Sequence, residues 1–133
     1  MAPIENLPVE TLKQREVSAG EIIFLEGQPA NEAYVILRGE VQVLVRGSNG
    51  DEVVINRMKA GEMFGEIALL TPNTIRTATT SSAEGCTLVV IDKSVFDKHV
   101  ANADGLLRFI IDHLCRRIAA LTERARDAPK APS

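Results

Sequence analysis

The sequence has no run of apolar residues close to the roughly 18 that a membrane-spanning helix needs, so no membrane segment is expected in this chain. The N-terminus also lacks the charged and hydrophobic regions of a signal peptide, and the expected compartment is the cytoplasm. A basic excess is missing as well. The net charge of −3 and the pI near 5.4 argue against a generic nucleic-acid binder.

Cysteine and histidine are scarce. Cys86 falls in an apolar strand pattern and Cys115 in a helical pattern, which predicts small packed side chains rather than a disulfide or a nucleophile. His99 and His113 are isolated and lie outside the spacings of metal sites, so neither a metal nor any other cofactor is expected. No set of nucleophile, base and orienting group can be drawn from these residues, and the chain is not expected to be an enzyme.

What is present is the pattern of a single globular domain, with 133 residues of which 45% are apolar and 25% charged. Short strand signals punctuated by glycine occupy residues 21–25, 34–37, 39–46, 52–58, 74–81 and 86–91. The run Ser48-Asn49-Gly50-Asp51 is a hairpin signal, because Asn-Gly tolerates the positive φ angles of tight primed turns. Many short strands with glycine-rich turns favour a jelly roll or barrel over a parallel sheet.

Helical periodicity replaces the strand pattern after Ile91. Ser94 and Asp97 have the spacing of an N-cap and its reciprocal acid, which predicts a short helix through about Val100. Asp104 is the expected cap of a long helix to about Arg126. Along that helix, apolar residues recur at alternating four- and three-residue steps, at Leu107, Ile111, Leu114, Ile118, Leu121 and Ala125.

The predicted fold class is therefore mainly β with α, an antiparallel β jelly-roll barrel followed by C-terminal helices. We expect a short N-terminal segment over residues 1–17, with a helical turn around 9–15, and a disordered tail over 127–133. The domain between them comprises a barrel over 18–92 and helices over 94–126. The apolar seam of the long helix has two interpretations: it packs on its own barrel, or it forms a dimer interface or a lid that moves with ligand.

The most informative run is Gly61-Glu62-Met63-Phe64-Gly65-Glu66-Ile67-Ala68-Leu69-Leu70, followed after a short turn by Arg76-Thr77-Ala78-Thr79. A phosphate binds backbone amides at a helix start and a guanidinium that donates two hydrogen bonds. Gly65 allows close backbone approach, one short helical turn follows it, and Arg76 arrives from the far side. A carboxylate such as Glu66 can accept a hydrogen bond from a ribose hydroxyl. One loop thus carries what a sugar phosphate requires.

The pattern F-G-E-x-A-L-L followed by R-T-A-T resembles the phosphate-binding cassette of the cyclic-nucleotide-binding domain family. The likeness extends upstream to residues 19–24, 26–27 and 34–43, and covers roughly residues 18–126. It implies that Arg76 pairs with the phosphate and Glu66 with the ribose 2′-hydroxyl, that Ala68 and Leu69 act through their amides, and that Thr77 donates a hydroxyl beside a small Ala78. The full set of expected ligand-binding residues is Phe64, Gly65, Glu66, Ile67, Ala68, Leu69, Arg76, Thr77 and Ala78.

The resemblance further implies that the ligand is cyclic AMP, with cyclic GMP as the alternative. Candidate base contacts are Val54, Ile55, Arg117, Leu121 and Thr122, of which Thr122 matches the helix hydroxyl of catabolite-activator-like relatives. In those relatives the last helix forms a dimer, so a homodimer or a partner protein is expected through this helix, and no DNA-binding domain is expected in this chain. A ligand-free jelly-roll interaction module is the other function considered, but it would leave Arg76 without a purpose.

Overall fold

The computed structural model describes residues 4–127, with side chains described as far as residue 122. Two short 3-10 turns, Ile4–Asn6 and Val9–Thr11, precede nine strands and three helices. The strands are β1 Lys13–Val17, β2 Ile22–Phe24, β3 Pro29–Ala30, β4 Glu32–Arg46, β5 Glu52–Lys59, β6 Met63–Phe64, β7 Thr74–Ile75, β8 Thr79–Ser81 and β9 Cys86–Asp92. The helices are α1 Ile67–Leu70, α2 Lys93–Ala101 and α3 Gly105–Asp127.

The strands form one seven-stranded sheet in the order β1-β9-β4-β8-β2, with β5 and β6 also paired to β4, and a small sheet of β3 and β7. Every described pairing is antiparallel. The long strand β4 pairs with four others, and the large sheet curls around it into a half-barrel. The antiparallel barrel with C-terminal helices that the sequence predicts is confirmed.

The inner face of the half-barrel is filled by a single apolar cluster to which β1, β2, β4, β5, β6 and β9 all contribute. Alternation along each strand directs every second side chain inward. Phe24 and Val43 are partly buried and pack against this cluster. Its members are Val17, Ile23, Tyr34, Ile36, Val41, Met58, Phe64, Cys86, Leu88 and Val90. Cys86 is thus a buried, free core thiol, as its strand pattern predicts.

The central strands β4 and β9 are buried on their outer face as well. Ala33, Val35 and Val89 alternate with the core residues, yet expose at most 8% of their surface. Helix α1 packs against β4 and α2 against β9, so the helices cover this side of the sheet. Helices α1 and α2 therefore lie on the outer side of the half-barrel.

The hairpin between β4 and β5 turns where Asn-Gly predicts it, but its geometry differs from the primed turn. Gly50 has a φ of +88°, whereas Asn73 is the residue other than glycine with a positive φ in the described part of the chain. The Gly47 amide donates to the Asp51 carbonyl at 2.7 Å and the Gly50 amide to the Gly47 carbonyl at 2.9 Å. A longer loop with one left-handed glycine therefore replaces the two-residue turn, because Asn49 uses its side-chain oxygen to accept from the Asp51 amide.

The predicted helical turn around residues 9–15 is wrong in its second half. Only Val9–Thr11 is helical, and β1 begins at Lys13 and pairs with β9. Residues 13–17 thus belong to the large sheet rather than to a separate N-terminal segment. Long-range pairing of a polar strand outweighs its weak local preference, which the alternation of charged residues did not reveal.

The predicted strand over residues 74–81 is two strands, β7 and β8. The chain between them turns at Arg76, whose amide donates to the Gln28 carbonyl at 2.8 Å and whose carbonyl accepts from the Gly27 amide at 2.8 Å. Arg76 is therefore anchored through its backbone to the loop between β2 and β3.

The caps of the two longer helices correct one prediction and confirm another. The N-cap of α2 is Asp92, not Ser94: its carboxylate accepts from the Val95 amide at 2.9 Å and from the Ser94 hydroxyl at 2.6 Å. These hydrogen bonds, the hydroxyl first, lower the pKa of Asp92. Asp104 caps α3 as predicted and accepts from the Leu106 and Leu107 amides at 2.9 and 3.1 Å.

The predicted seam of α3 is divided between two environments. Leu107, Leu114 and Leu121 are 55%, 51% and 58% exposed, whereas Ile111 and Ile118 are half-buried. Helix α3 packs on α1 and α2. The described residues consequently leave the three leucines largely exposed. The side chain of Ala125 and the tail residues 128–133 lie outside the described residues.

Replacing Asp104 by alanine should weaken the start of α3. Asp104→Ala removes the acceptor of two amide hydrogen bonds, and loss of such a cap costs about 1 kcal/mol. Urea denaturation followed by circular dichroism should show a lower midpoint. Asp112→Ala, an exposed aspartate of the same helix, serves as the control and should have a much smaller effect. Equal midpoints for the two variants would contradict the capping role.

Candidate functional site

Arg76 is a buried arginine at the break between β7 and β8, with 7% of its surface exposed. Its Nη2 donates to the backbone carbonyl of Glu32 at 2.7 Å. Its Cζ lies 3.9 Å from the centroid of the Phe24 ring and 5.8 Å from that of Tyr34. The guanidinium thus rests on an aromatic face, which attracts a cation.

The charge of Arg76 has no counter-ion among the side chains described up to residue 122, where the ion pairs are Arg15–Glu21, Arg57–Glu40 and Lys93–Asp97. Burial lowers the pKa of Arg76 from its usual value, although nearby Tyr34 and Glu32 oppose that shift. An arginine nevertheless stays protonated at neutral pH. A buried cation without an anion is costly, so this site is electrostatically suited to an anionic ligand.

The remaining N–H groups of Arg76 are accessible. Only Nη2 has a hydrogen-bond acceptor among the described side chains and backbone. Among those residues, the sole fully buried side-chain nitrogen or oxygen without a partner belongs to another residue, Thr80. The unpaired nitrogens of Arg76 must therefore still reach the surface. They can donate to a ligand that arrives from solvent.

Phe24 and Tyr34, the two rings nearest the guanidinium, belong to a cluster of three aromatic rings. Tyr34 and Phe64 stack with their centroids 5.1 Å apart, and Phe24 lies 6.0 and 6.1 Å from them. The Tyr34 hydroxyl donates to the Glu32 carboxylate. Burial and then this hydrogen bond raise the pKa of Tyr34 to about 12, so the ring remains neutral. Sequence reasoning placed Phe64 at the site but gave no role to Phe24 or Tyr34, whose partners come from distant strands.

Gly65 lies directly against the arginine. A Cβ added to this glycine would be 2.8 Å from Nη1 of Arg76, and its φ is +74°. Any residue other than glycine would be strained here, because its backbone would adopt a left-handed conformation and its Cβ would crowd the guanidinium. The sequence prediction that Gly65 permits a close approach is consistent with this geometry, and the approaching group is the arginine itself.

The short helical turn after Gly65 is confirmed as α1, Ile67–Leu70. Glu66 occupies its N-cap position, is exposed, and makes no side-chain capping hydrogen bond, so its carboxylate can accept from a ligand. The amides of Ala68 and Leu69 donate to the carbonyls of Gly65 and Glu66 at 3.2 and 3.0 Å. In the described structure these two amides are occupied, whereas those of Glu66 and Ile67 have no backbone acceptor there.

The other predicted cassette residues surround this point at different depths. Thr77 is exposed, and Ala78 and Ile67 are half-buried. Thr79, the next residue, is buried, and its hydroxyl accepts from the Glu26 amide at 3.0 Å. A hydroxyl at Thr77 can therefore reach a ligand from the solvent side.

The predicted base contacts lie on two elements away from Arg76. Val54 and Ile55 are 37% and 58% exposed on β5, whose principal contacts are with β4. On α3, Arg117 and Leu121 are exposed and Thr122 is half-buried. The structure thus places Gly65 of the cassette against Arg76, whereas the residues expected to hold the base stand on other elements, β5 and α3.

A cleft of about 360 Å³ separates α1, α2 and the first half of α3. Its walls include Leu69 and Leu70 from α1 and Ile111 and Cys115 from α3, but neither Arg76 nor Glu66. Lys93 of α2 crosses its edge, with Nζ 3.4 Å from the Leu69 carbonyl and 3.3 Å from the Asp97 carboxylate. The cleft is therefore separate from Arg76 and Glu66, and it leaves α3 incompletely packed on α1 and α2.

Two further features are absent from the described residues. They hold no cluster of three or more side chains able to bind a metal ion. None of their helices has the length and apolar character needed to cross a membrane.

Comparison with known proteins agrees with this geometry. The family model described as the cyclic nucleotide-binding domain matches residues 14–103. The chain is 37% identical over 90 residues to the cAMP-dependent protein kinase regulatory subunit of Schizosaccharomyces pombe, covering 68% of this chain and 21% of that protein. It is 33% identical over 88 residues to the cGMP-dependent protein kinase egl-4 of Caenorhabditis elegans, covering 66% of this chain and 10% of that protein.

Among solved structures, the EAL enzyme Bd1971 is similar in both its cAMP-bound and cGMP-bound forms. Each aligns with a TM-score of 0.63 and covers 86% of this chain and 30% of the other, at 25% and 28% identity. The chain thus spans well under half the length of each of these relatives. Over most of its own length, however, it is matched by one recurrent module, and the chain belongs to the cyclic nucleotide-binding domain family.

Proposed function

We propose that this chain is a sensor that binds cyclic AMP in the cassette around Arg76 and signals through movement of α3. The observation that carries the proposal is the buried guanidinium, held on Phe24 and the Glu32 carbonyl, with no ion-pair partner among the side chains described up to residue 122. Such a preorganised cation favours a phosphate, because its remaining N–H groups are already oriented.

In this proposal each cassette residue has one role. Arg76 donates to the exocyclic phosphate oxygens and Glu66 accepts from the ribose 2′-hydroxyl. The amides of Glu66 and Ile67 are better placed to contact phosphate than those of Ala68 and Leu69, which already donate within the turn. Thr77, exposed beside Arg76, adds a hydroxyl, and half-buried Ala78 leaves room for the ligand.

The base is the less constrained part of the ligand. Val54, Ile55, Arg117, Leu121 and Thr122 stay candidates that α3 or the hairpin would have to bring toward the cassette. Relatives of this chain include kinases named for cyclic AMP and for cyclic GMP. Cyclic AMP is our choice, with cyclic GMP as the alternative ligand.

Movement of α3 is supported by its packing. The helix touches α1 and α2 across a cleft of about 360 Å³, so it can shift without breaking a close-packed core. A nucleotide would favour one arrangement of α3 only by binding it better than the other. The exposed Leu107, Leu114 and Leu121 support a second role for this helix, pairing with another copy or with a partner protein.

A second candidate function is a ligand-free interaction module, which the same exposed leucines favour. Neither candidate requires catalysis, and a non-enzymatic, cytoplasmic role completes the proposal. The downstream partner is a protein that recognises α3 in one of its positions.

Cyclic AMP should stabilise the folded chain. Binding to the native state alone adds about 2.7 kcal/mol when free ligand is a hundredfold above the dissociation constant. We expect micromolar or tighter binding and a rise of several degrees in Tm by differential scanning fluorimetry, with 5′-AMP as the control nucleotide. No shift with millimolar cyclic AMP or cyclic GMP would reject the sensor and favour the interaction module.

Substitutions of Arg76 should separate a bidentate contact from a simple positive charge. Arg76→Ala removes a charge-assisted contact and should weaken binding by roughly 2 to 4 kcal/mol. Arg76→Lys should restore little, because an ammonium cannot reproduce the planar fork. Glu66→Ala should weaken binding less than Arg76→Ala. Calorimetric titration measures each Kd, and Arg38→Ala, an exposed arginine of β4, is the control. Wild-type affinity in Arg76→Lys would refute the bidentate assignment.

Ligand should also change the protection of α3. Hydrogen exchange of residues 114–122 should differ between the free protein and the protein saturated with cyclic AMP, because within this segment only Cys115 lines the cleft. Residues 33–36 of β4, which are buried on both faces, provide the internal reference. Identical exchange along α3 in both states would mean that the helix is static and that signalling uses another surface.

A further inference from the structure

Strand β2 carries one extra residue beside the candidate site. Ile22 pairs with Ser81 of β8 and Phe24 pairs with Thr80, so β2 advances by two residues where β8 advances by one. In a regular strand, consecutive side chains point to opposite faces. Here Ile23 belongs to the core cluster and Phe24 packs against that same cluster. The irregular register thus turns Phe24 inward, and bulges of this kind often redirect a side chain next to a functional site.

The ring of Phe24 lies directly against the guanidinium of Arg76. Cζ of the arginine is 3.9 Å from the ring centroid, which is van der Waals contact, whereas the Tyr34 centroid is 5.8 Å away. The ring is itself held in place, because its centroid lies 6.0 and 6.1 Å from those of Tyr34 and Phe64. Phe24 is therefore the ring that supports the arginine, and the core supports the ring.

The other contacts of Arg76 act on the edge of its guanidinium. The Glu32 carbonyl accepts from Nη2 at 2.7 Å, and a Cβ added to Gly65 would lie 2.8 Å from Nη1. A guanidinium is planar and carries its N–H donors along its edge. The Phe24 ring contacts the face instead, so it restricts the tilt of the group without occupying a donor.

Phe24 also stabilises the positive charge without competing with a ligand. An aromatic face attracts a cation through its quadrupole. None of the side chains described up to residue 122 places a carboxylate within ion-pair distance of Arg76. A carboxylate in that place would accept from the same N–H groups that an anionic ligand needs. A neutral ring consequently holds the arginine and leaves its remaining donors free.

We propose that Phe24 is a positioning residue, which sets the affinity of this chain for the phosphate of a cyclic nucleotide by holding Arg76 in the orientation that binds it. The inference rests on the proposed function, in which Arg76 binds the phosphate. An arginine that leaves the ring for part of the time can bind ligand only in the remaining fraction, and the apparent Kd rises as that fraction falls. The electron density of the ring therefore controls Kd.

Fluorinated phenylalanines at position 24 test this role, because fluorine changes the size of the ring little and withdraws electron density from its face. Mono-, di- and trifluorophenylalanine are incorporated at this site alone, and Kd for cyclic AMP is measured by calorimetry. Kd should rise with each added fluorine, by roughly three- to tenfold in the trifluoro form. Phe24→Leu, which keeps an apolar side chain but has no aromatic face, should raise Kd at least as much.

The Tm of the ligand-free protein separates this contact from simple packing. Tm should fall along the fluorinated series when residue 76 is arginine and stay level in Arg76→Ala, because the ring then has no cation to attract. The same fluorinated residues at Phe109 of α3, which is 68% exposed, are the control. They should leave both Tm and Kd unchanged.

Three results would overturn the role of Phe24. A Kd that stays constant along the series would do so, even if Tm falls, and would leave the sensor function standing. A Tm that falls equally in Arg76→Ala would do so as well, because packing would then explain the effect. Failure of the wild-type chain to bind either cyclic AMP or cyclic GMP would overturn both the role of Phe24 and the sensor function.

Discussion

The guanidinium of Arg76 is the constraint on which the rest of the site depends: it is buried on an aromatic face and has no ion-pair partner among the described side chains. Gly65 has a φ of +74°, which favours glycine, and an added Cβ would lie 2.8 Å from Nη1. The strand that would otherwise run from 74 to 81 is interrupted so that Arg76 can leave the sheet and bond through its backbone to residues 27 and 28. The folded protein thus accepts an electrostatic penalty that a bound anion would relieve.

Much of the fold could be predicted from the sequence because its strands carry strong local signals. Alternating apolar residues and glycine turns located β5 and β9, and Asp104 predicted the start of α3. The single long strand β4 was predicted as two strands, over residues 34–37 and 39–46, because Gly39 indicated a break between them. One error arises where distant residues decide: β1 is polar and exists through pairing with β9, which a local window does not show. The other error is local, because both Asp92 and Ser94 can cap a helix and the cap is Asp92, at the end of β9.

The site was predictable to the extent that its residues are contiguous. Gly65, Glu66 and Arg76 stand in one short motif with recognisable phosphate chemistry, and the structure places Arg76 against Gly65. The floor under the arginine was not predictable, because Phe24 and Tyr34 come from separate strands and meet only after the sheet curls. The unpaired hydroxyl of Thr80 could not be predicted from the sequence either, since it depends on whether any neighbouring group in the folded protein can form a hydrogen bond with it.

The shape of α3 has a mechanical consequence. Its 23 residues extend for roughly 33 Å at about 1.5 Å per residue, while the cleft residues on it lie between positions 108 and 115. Its contacts with the cleft therefore lie near its N-terminal end, and the rest of the helix extends beyond them. A tilt of about 10° about these contacts would displace the far end by several ångströms at that helical rise. Under the proposed function, a small change in the cassette would thus become a much larger displacement at the end of α3.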